Sequence, residues 1–372
     1  MADGIKPIKM PKWGLSMTEG SVVAWCVEEG DEVKAGGDLI EIETPKITNL
    51  YESPVSGRLR RRVARVGETL PVGALLAVVA DETTSEAEID EFVAKFIEEF
   101  VPEAESGPET LQPQMIGAGG RRIRYLKMSD GERAPVVLIH GFGGDLNNWL
   151  FTQPVLAQAR PTYSIDLPGH GQSGKQVEGG DLEFFASAVF ALLEALEIGS
   201  AHLVGHSLGG AIALELSLSH PGCVRSLTLI APAGLGPEIN INYIQGFIRA
   251  SRHKQLRPVV EQLFADPSLV GRKMLDDIIN FKRLDGAVEA LSTIAGTVFP
   301  DGRQSVNLAP RLTDLKVPLQ VIWGEQDLII PANHLKALPP SVAVHLVPGA
   351  GHMVHMEKAE KVNALIETFL AD

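Results

Sequence analysis

Residues 201–220 read AHLVGHSLGGAIALELSLSH. The apolar run at 202–205 has the character of a strand, and Leu208, Ile212 and Leu216 follow it at helical spacing. Between the two, Gly205, His206, Ser207, Leu208 and Gly209 form the pattern G-x-S-x-G. Its glycines permit a turn so sharp that the serine hydroxyl stands free at the carboxyl edge of a sheet, with its backbone at a helix N-terminus. That is the place for a nucleophile.

Outward from this stretch the pattern alternates. Strands are predicted over 122–127, 136–140, 162–166, 226–231, 319–323 and 343–347, with helices over 182–196 and 358–370. Continuous apolar strands separated by amphipathic helices give a mostly parallel sheet covered on both faces. A serine hydroxyl is a weak nucleophile near neutral pH, so it needs an imidazole to take its proton and a buried carboxylate to orient that imidazole. Asp327, in the loop after 319–323, and His352, in the loop after 343–347, follow Ser207 in the order such a triad requires. Glu325 and His355 are rivals whose offsets from the strand ends fit less well. The loop His140-Gly141-Phe142-Gly143-Gly144 offers the Phe142 N–H, which with that of Leu208 could hold an oxyanion, each donor being worth about 10²-fold or more in rate. His140 and His206 read as structural or pocket-lining. The ten histidines show no metal-ligand spacing, and no metal is expected.

Residues 236–306 break the sheet pattern with helical signals and read as a cap over the serine. Within them RASRHKQLR carries Arg249, Arg252, Lys254 and Arg257, either a solvated helix face or a site for the phosphates of coenzyme A.

The N-terminal part is built differently. Gly57, Gly67 and Gly73 each stand 37 residues after Gly20, Gly30 and Gly36, and short alternating strands at 21–27, 39–43, 58–63 and 75–79 lie among them. Two similar halves of a small β-sandwich are expected over 1–80. Pro45 beside Lys46 marks a turn tip between the halves, so Lys46 should project from a hairpin. From 81 to 109 there are eleven Asp or Glu and one Lys, which predicts an extended acidic linker over 81–118. Inside it, Ile89, Phe92, Val93, Phe96, Ile97 and Phe100 share a helical face, suited to a partner or to one of the chain's own domains.

The 372 residues, 45% of them hydrophobic, are enough for one large core and one small one. A net charge of −14 argues against nucleic acid, and the absence of a long apolar run argues against a membrane span. A cytoplasmic protein is expected, with Cys26 and Cys223 as reduced core thiols.

The glycine-punctuated segment 3–80, with MPKWGLSMTEG at 10–20 and PVSGRL at 54–59, resembles the lipoyl domains of 2-oxo acid dehydrogenase complexes. The resemblance implies an amide-linked lipoyl group on Lys46, although Pro45 stands where the family usually carries aspartate. Biotin carrier domains share the fold but place methionines around the lysine, where this chain has Pro45 and Ile47. Residues 119–372 are expected to form an α/β-hydrolase domain, the resemblance running from 121 onward. The fusion resembles the dihydrolipoamide acetyltransferase components of acetoin dehydrogenase complexes, including HGFGGDLNNWLF at 140–151, QLFADP at 262–267 and GHMVHME at 351–357. It implies transfer of an acetyl group from the lipoyl arm to coenzyme A during acetoin breakdown. The implied partners are a thiamine-diphosphate-dependent acetoin-cleaving component, a dihydrolipoamide dehydrogenase and a lipoate-attaching enzyme. A homo-oligomer is expected. Two other readings use the same residues: a thioester hydrolase carrying a lipoyl domain, and a lipoyl shuttle without acyl chemistry of its own.

Overall fold

The computed structural model describes residues 5–11, 19–43, 48–100 and 111–370. The chain divides into two compact units, residues 1–111 with 268–274, and the remainder.

In the first unit β1 (Lys6–Lys9), β2 (Glu19–Trp25), β3 (Glu32–Val33), β4 (Asp38–Glu43), β5 (Thr48–Glu52), β6 (Gly57–Arg62), β7 (Thr69–Pro71) and β8 (Leu75–Ala80) form two four-stranded sheets. Their orders are β1-β8-β6-β3 and β5-β4-β2-β7. The sequence repeat has a structural meaning: β2, β3 and β4 correspond to β6, β7 and β8, and each half lends its short strand to the other's sheet, β3 to β6 and β7 to β2. Gly36 and Gly73 both have φ near +80°, the backbone that the matching turns demand and that L side chains avoid. Ile8, Leu39, Ile42, Leu59 and Leu76 are fully buried between the sheets, each contributing about 1.5–3 kcal/mol. β4 and β5 remain paired as far as Glu43 and Thr48. Residues 44–47, with Lys46, connect those paired ends and lie outside the described residues.

The expected linker is corrected at both ends. Residues Glu86–Glu99 form α1, started by a Ser85 capping box. Its Ile89 is buried, and Phe92, Val93 and Phe96 pack with it against Leu75 and Val78 of β8. Arg60 and Arg61 of β6 meet Glu86, and Arg61 also meets Asp90. The apolar stripe therefore belongs to the first unit, since its burial and the facing arginines outweigh the acidic self-repulsion that would extend a tether. At the other end β9 (Gln114–Ala118) pairs antiparallel with β10 (Arg121–Met128), so the second unit begins before residue 119. The cysteine reading also changes: Cys223 is buried but Cys26 is exposed, because a register shift between Val22 and Ala24 alters the inward phase of β2.

The second unit continues with β11 (Val136–Ile139), β12 (Thr162–Ile165), β13 (Ala201–His206), β14 (Val224–Ile230), β15 (Leu319–Gly324) and β16 (Ala343–Val347). The eight-stranded sheet runs β16-β15-β14-β13-β11-β12-β10-β9, parallel from β11 to β16. Helices α2 (Gln153–Leu156), α3 (Leu182–Ala195), α4 (Leu208–Ser219), α9 (Val354–Glu357) and α10 (Ala359–Phe369) accompany it. α4 is buried on nearly every side, from Leu208 through Leu214 and again at Leu216 and Ser217. Between β14 and β15 the chain leaves the sheet for α5 (Ile241–Arg249), α6 (His253–Val260), α7 (Arg272–Lys282) and α8 (Ala287–Val298), and a bridge between Glu238 and Arg303 joins the two ends of this insertion. β11 pairs with both β12 and β13, so the strand order reverses beside it. Ligands bind such sheets at the carboxyl ends of the strands flanking that reversal. Among the described residues no helix is long and apolar enough to cross a membrane, and no group of three His, Cys, Asp or Glu could hold a metal ion.

Candidate active site

Ser207 occupies the junction of β13 and α4 with φ 53° and ψ −118°. Such backbone costs on the order of 1–3 kcal/mol and persists only where its surroundings impose it. Here the Ser207 N–H donates to the Ile230 carbonyl at 2.9 Å, and the Ser207 carbonyl accepts from Gly210, Ala211 and Ala233. The flanking glycines are compulsory. A Cβ on Gly205 would lie 2.4 Å from the Gly209 carbonyl oxygen, and one on Gly209 would lie 2.2 Å from that of Ile139. Because Ile139 is paired with Gly205, the loop after β11 emerges beside the serine; a Cβ on Gly141 would be 2.9 Å from the Ser207 Cβ. The Leu208 N–H, first in its helix, has no intrahelical acceptor. Nor does the Phe142 N–H donate a hydrogen bond among the described residues.

Two further loops leave β15 and β16, paired as far as Gly324 and Val347. The Asp327 side chain is fully buried. Its Oδ1 accepts from the Ile329 and Ile330 N–H groups at 2.8 and 3.0 Å, and its Oδ2 from Trp323 Nε1 at 3.0 Å and His352 Nδ1 at 2.7 Å. A carboxylate accepting from Nδ1 leaves Nε2 of His352 as the proton acceptor. Glu325 is exposed, with its N–H on the Val347 carbonyl. His355 is fully buried against Trp149 and His206, neither ring nitrogen has a hydrogen-bond partner among the described residues, and burial pushes its pKa down to about 3. The carboxylate beside His352 is thus that of Asp327, and His355 stands apart from it.

Comparison with known proteins gives each unit a family. The alpha/beta hydrolase fold family matches residues 134–359, and the biotin-requiring enzyme family matches residues 6–79. The dihydrolipoyllysine-residue acetyltransferase component of the acetoin cleaving system of Pseudomonas putida is 49% identical over 369 residues, covering 98% of this chain and 98% of the relative. The chain belongs to this acetyltransferase component family. Its counterpart from Cupriavidus necator is 45% identical, over 98% of this chain and 97% of the relative. A solved meta-cleavage product hydrolase from Pseudomonas fluorescens IP01 aligns with 69% of this chain and 96% of its own, with a TM-score of 0.62 and 23% identity, a likeness of fold alone.

Within this acetyltransferase component His206 and His140, read from the sequence as structural or pocket-lining, brace the site, as do Glu357, Phe247 and Phe299, which the sequence did not single out. His206 Nε2 donates to the His352 carbonyl at 3.0 Å, and burial holds its pKa well below the usual imidazole value. It tethers the backbone of the His352 loop to the last residue of β13, just before Ser207. His140 donates through Nδ1 to the Gly141 carbonyl at 2.7 Å and accepts from the Leu167 N–H through Nε2 at 3.0 Å, which bridges the loop after β11 to the chain following β12. Glu357 accepts from the Gly351 and Ala265 N–H groups at 2.6 and 2.7 Å, joining the loop before His352 to the segment after α6. Phe142 meets Phe247 of α5 and Phe299 edge-on at 6.1 and 6.2 Å between centroids. Phe247 also lies against Gly143, where a Cβ would come within 2.5 Å of its ring. The helical spacing of Tyr243, Ile244 and Phe247 is visible in the sequence, but the contacts made by Glu357, Phe247 and Phe299 are not, because each reaches a neighbour distant along the chain.

Proposed function

We propose that the second unit moves an acetyl group from a dihydrolipoyl thioester to coenzyme A through an acetyl ester on Ser207. The observation that carries this reading is the buried Asp327–His352 pair in the same unit as a strained serine, within a chain whose family is an acetyltransferase component. In the first half, Ser207 Oγ adds to the thioester carbonyl while His352 Nε2 takes its proton. The Phe142 and Leu208 N–H groups hold the oxyanion. His352 then gives the proton to the departing thiolate as the carbon–sulfur bond breaks. In the second half, His352 takes the proton of the coenzyme A thiol, whose sulfur attacks the acetyl ester. The carbon–oxygen bond breaks and His352 returns the proton to Ser207. Asp327 keeps the imidazole in one tautomer and stabilises its charged form.

Lys46 is the proposed attachment point of the lipoyl group, which when bound supplies the acetyl thioester. The pairing of Glu43 with Thr48 fits this assignment, since four residues including Lys46 bridge two antiparallel strand ends. A lipoate-attaching enzyme, a thiamine-diphosphate-dependent acetoin-cleaving component and a dihydrolipoamide dehydrogenase are the partners this role requires. Tethering the donor to the same chain raises its local concentration at the serine.

The test supplies S-acetyl-dihydrolipoamide, with and without coenzyme A, to the wild type and to Ser207→Ala, following acetyl-CoA and acetate separately. Acetyl-CoA is expected from the wild type, with a loss of about 10³-fold or more in the variant. Acetate as the sole product would make the chain a thioester hydrolase, and equal turnover by the variant would remove the serine from the chemistry.

A further inference from the structure

Between α5 and the end of α8 lies an open groove of about 580 Å³. Along α5 it is lined by Ile241, Ile244 and Ile248, one helical face, and across from them by Ala295, Gly296 and Phe299 at the end of α8. Its volume falls in the ordinary range of small-molecule sites. Phe299 is shared: it lines the groove and also meets Phe142 of the loop beside Ser207. Ser207 and His352 are only 7% and 2% exposed, so a reactant must reach them as a slender chain.

The two ends of the groove differ in charge. Asp301 lines it together with Gly302, which abuts Ile241 at the start of α5. At the other end of α5, about 13 Å along the axis, Arg249 closes the helix and Arg252 caps the start of α6, with Lys254 in its first turn. These three are exposed and have no carboxylate partner among the described residues, in a chain of net charge −14. Their neighbours are engaged, His253 with Asp276 and Arg257 with Glu261. Arg249 is not needed to cap α5 either, because Lys282 donates to the Phe247 and Ala250 carbonyls. Arg249 directly follows Ile248, the last groove residue of α5, so an unpaired cationic corner succeeds a groove of mixed polar and apolar lining, which complements a molecule with an amide-bearing arm and a multiply anionic head.

Resting on the proposed acetyl transfer, we infer that this groove is the acceptor site, taking a pantetheine arm along α5 while Arg249, Arg252 and Lys254 hold the nucleotide phosphates at its head. Directionality follows from the charges: Asp301 repels the anionic head from the opposite end. The arm's thiol is thereby presented toward the Phe142 loop.

Two variants separate the parts. Gly296→Phe plugs the groove, and a Cβ at that position meets no protein atom within 4 Å, so the substitution fills space without a built-in clash at its root. It should raise the KM for both coenzyme A and pantetheine about tenfold or more, leaving the KM for S-acetyl-dihydrolipoamide in place. Arg249→Gln combined with Arg252→Gln should raise the KM for coenzyme A about tenfold and erase the preference for coenzyme A over pantetheine. Unchanged acceptor kinetics in the plugged variant, or a charge variant that still prefers coenzyme A as the wild type does, would overturn the assignment. Calorimetric titration of coenzyme A without any acyl donor, on the wild type and both variants, reads the site even if acetate proves to be the product. Binding that the variants weaken would support the groove, and binding that they leave intact would refute it.

Discussion

At the scale of single residues, Asp327 shows how a carboxylate becomes a fixed part of a site. Trp323, Ile329 and Ile330 take three of its hydrogen-bonding positions, and the remaining one faces His352 Nδ1. Asp327→Asn nearly preserves volume but exposes His352 to an amide that can donate as well as accept, which favours the wrong tautomer. The expected outcome is a fall in kcat of about 10³–10⁴-fold with little change in donor KM, measured by single-turnover acetyl transfer. A fall below tenfold would mean that the carboxylate only supports the loop. Gly324 belongs to the same arrangement: a Cβ there would come 2.0 Å from the Gly351 carbonyl oxygen, so the close approach of the two loops depends on that missing side chain.

At the scale of elements, α1 separates burial from charge. Ile89 is 0% exposed and packs on Leu75 and Val78, whereas the ion pairs of Arg61 with Glu86 and Asp90 are open to solvent. Ile89→Ala should therefore destabilise the first unit by about 2–4 kcal/mol. Arg61→Ala should leave its unfolding midpoint almost unmoved, because exposed pairs are screened. Denaturant unfolding followed by Trp25 fluorescence compares them, and an Arg61 effect equal to that of Ile89 would contradict this ranking. The four helices inserted between β14 and β15 show another side of the same scale. Phe247 reaches the Phe142 loop from α5 although more than a hundred residues separate them, a contact set by how the helix docks.

For the whole molecule, pH response follows from how many imidazoles the second unit buries. His140, His170, His206 and His355 all have pKa values lowered, foremost by burial. A lowered folded-state value means that the unfolded chain takes up protons first as the pH falls. Stability from these groups is therefore complete above about pH 6.5 and is lost below it, with a limiting slope of about 1.4 kcal/mol per pH unit for a histidine that stays neutral in the folded protein. For His355 the window runs from that value down to about 3. Asp166 and Glu357, raised mainly by burial, offset part of the loss in the lower part of this range. His355→Phe should shrink the loss of stability between pH 7 and pH 5 by about 2 kcal/mol, read from urea unfolding at each pH. An undiminished loss would show that His355 protonates inside the folded protein. Residue order alone displays the 37-residue repeat, the strand and helix periods, the glycine-flanked turn at Ser207, and the order in which Asp327 and His352 follow it. Those features are legible because backbone sterics and periodicity act over a few residues. Long-range packing was needed to show that α1 lies against β8, that β9 joins the large sheet, that Cys26 faces outward and that Glu357 fastens the loop before His352. Each of these depends on which distant surface a segment meets, and composition carries no record of that register.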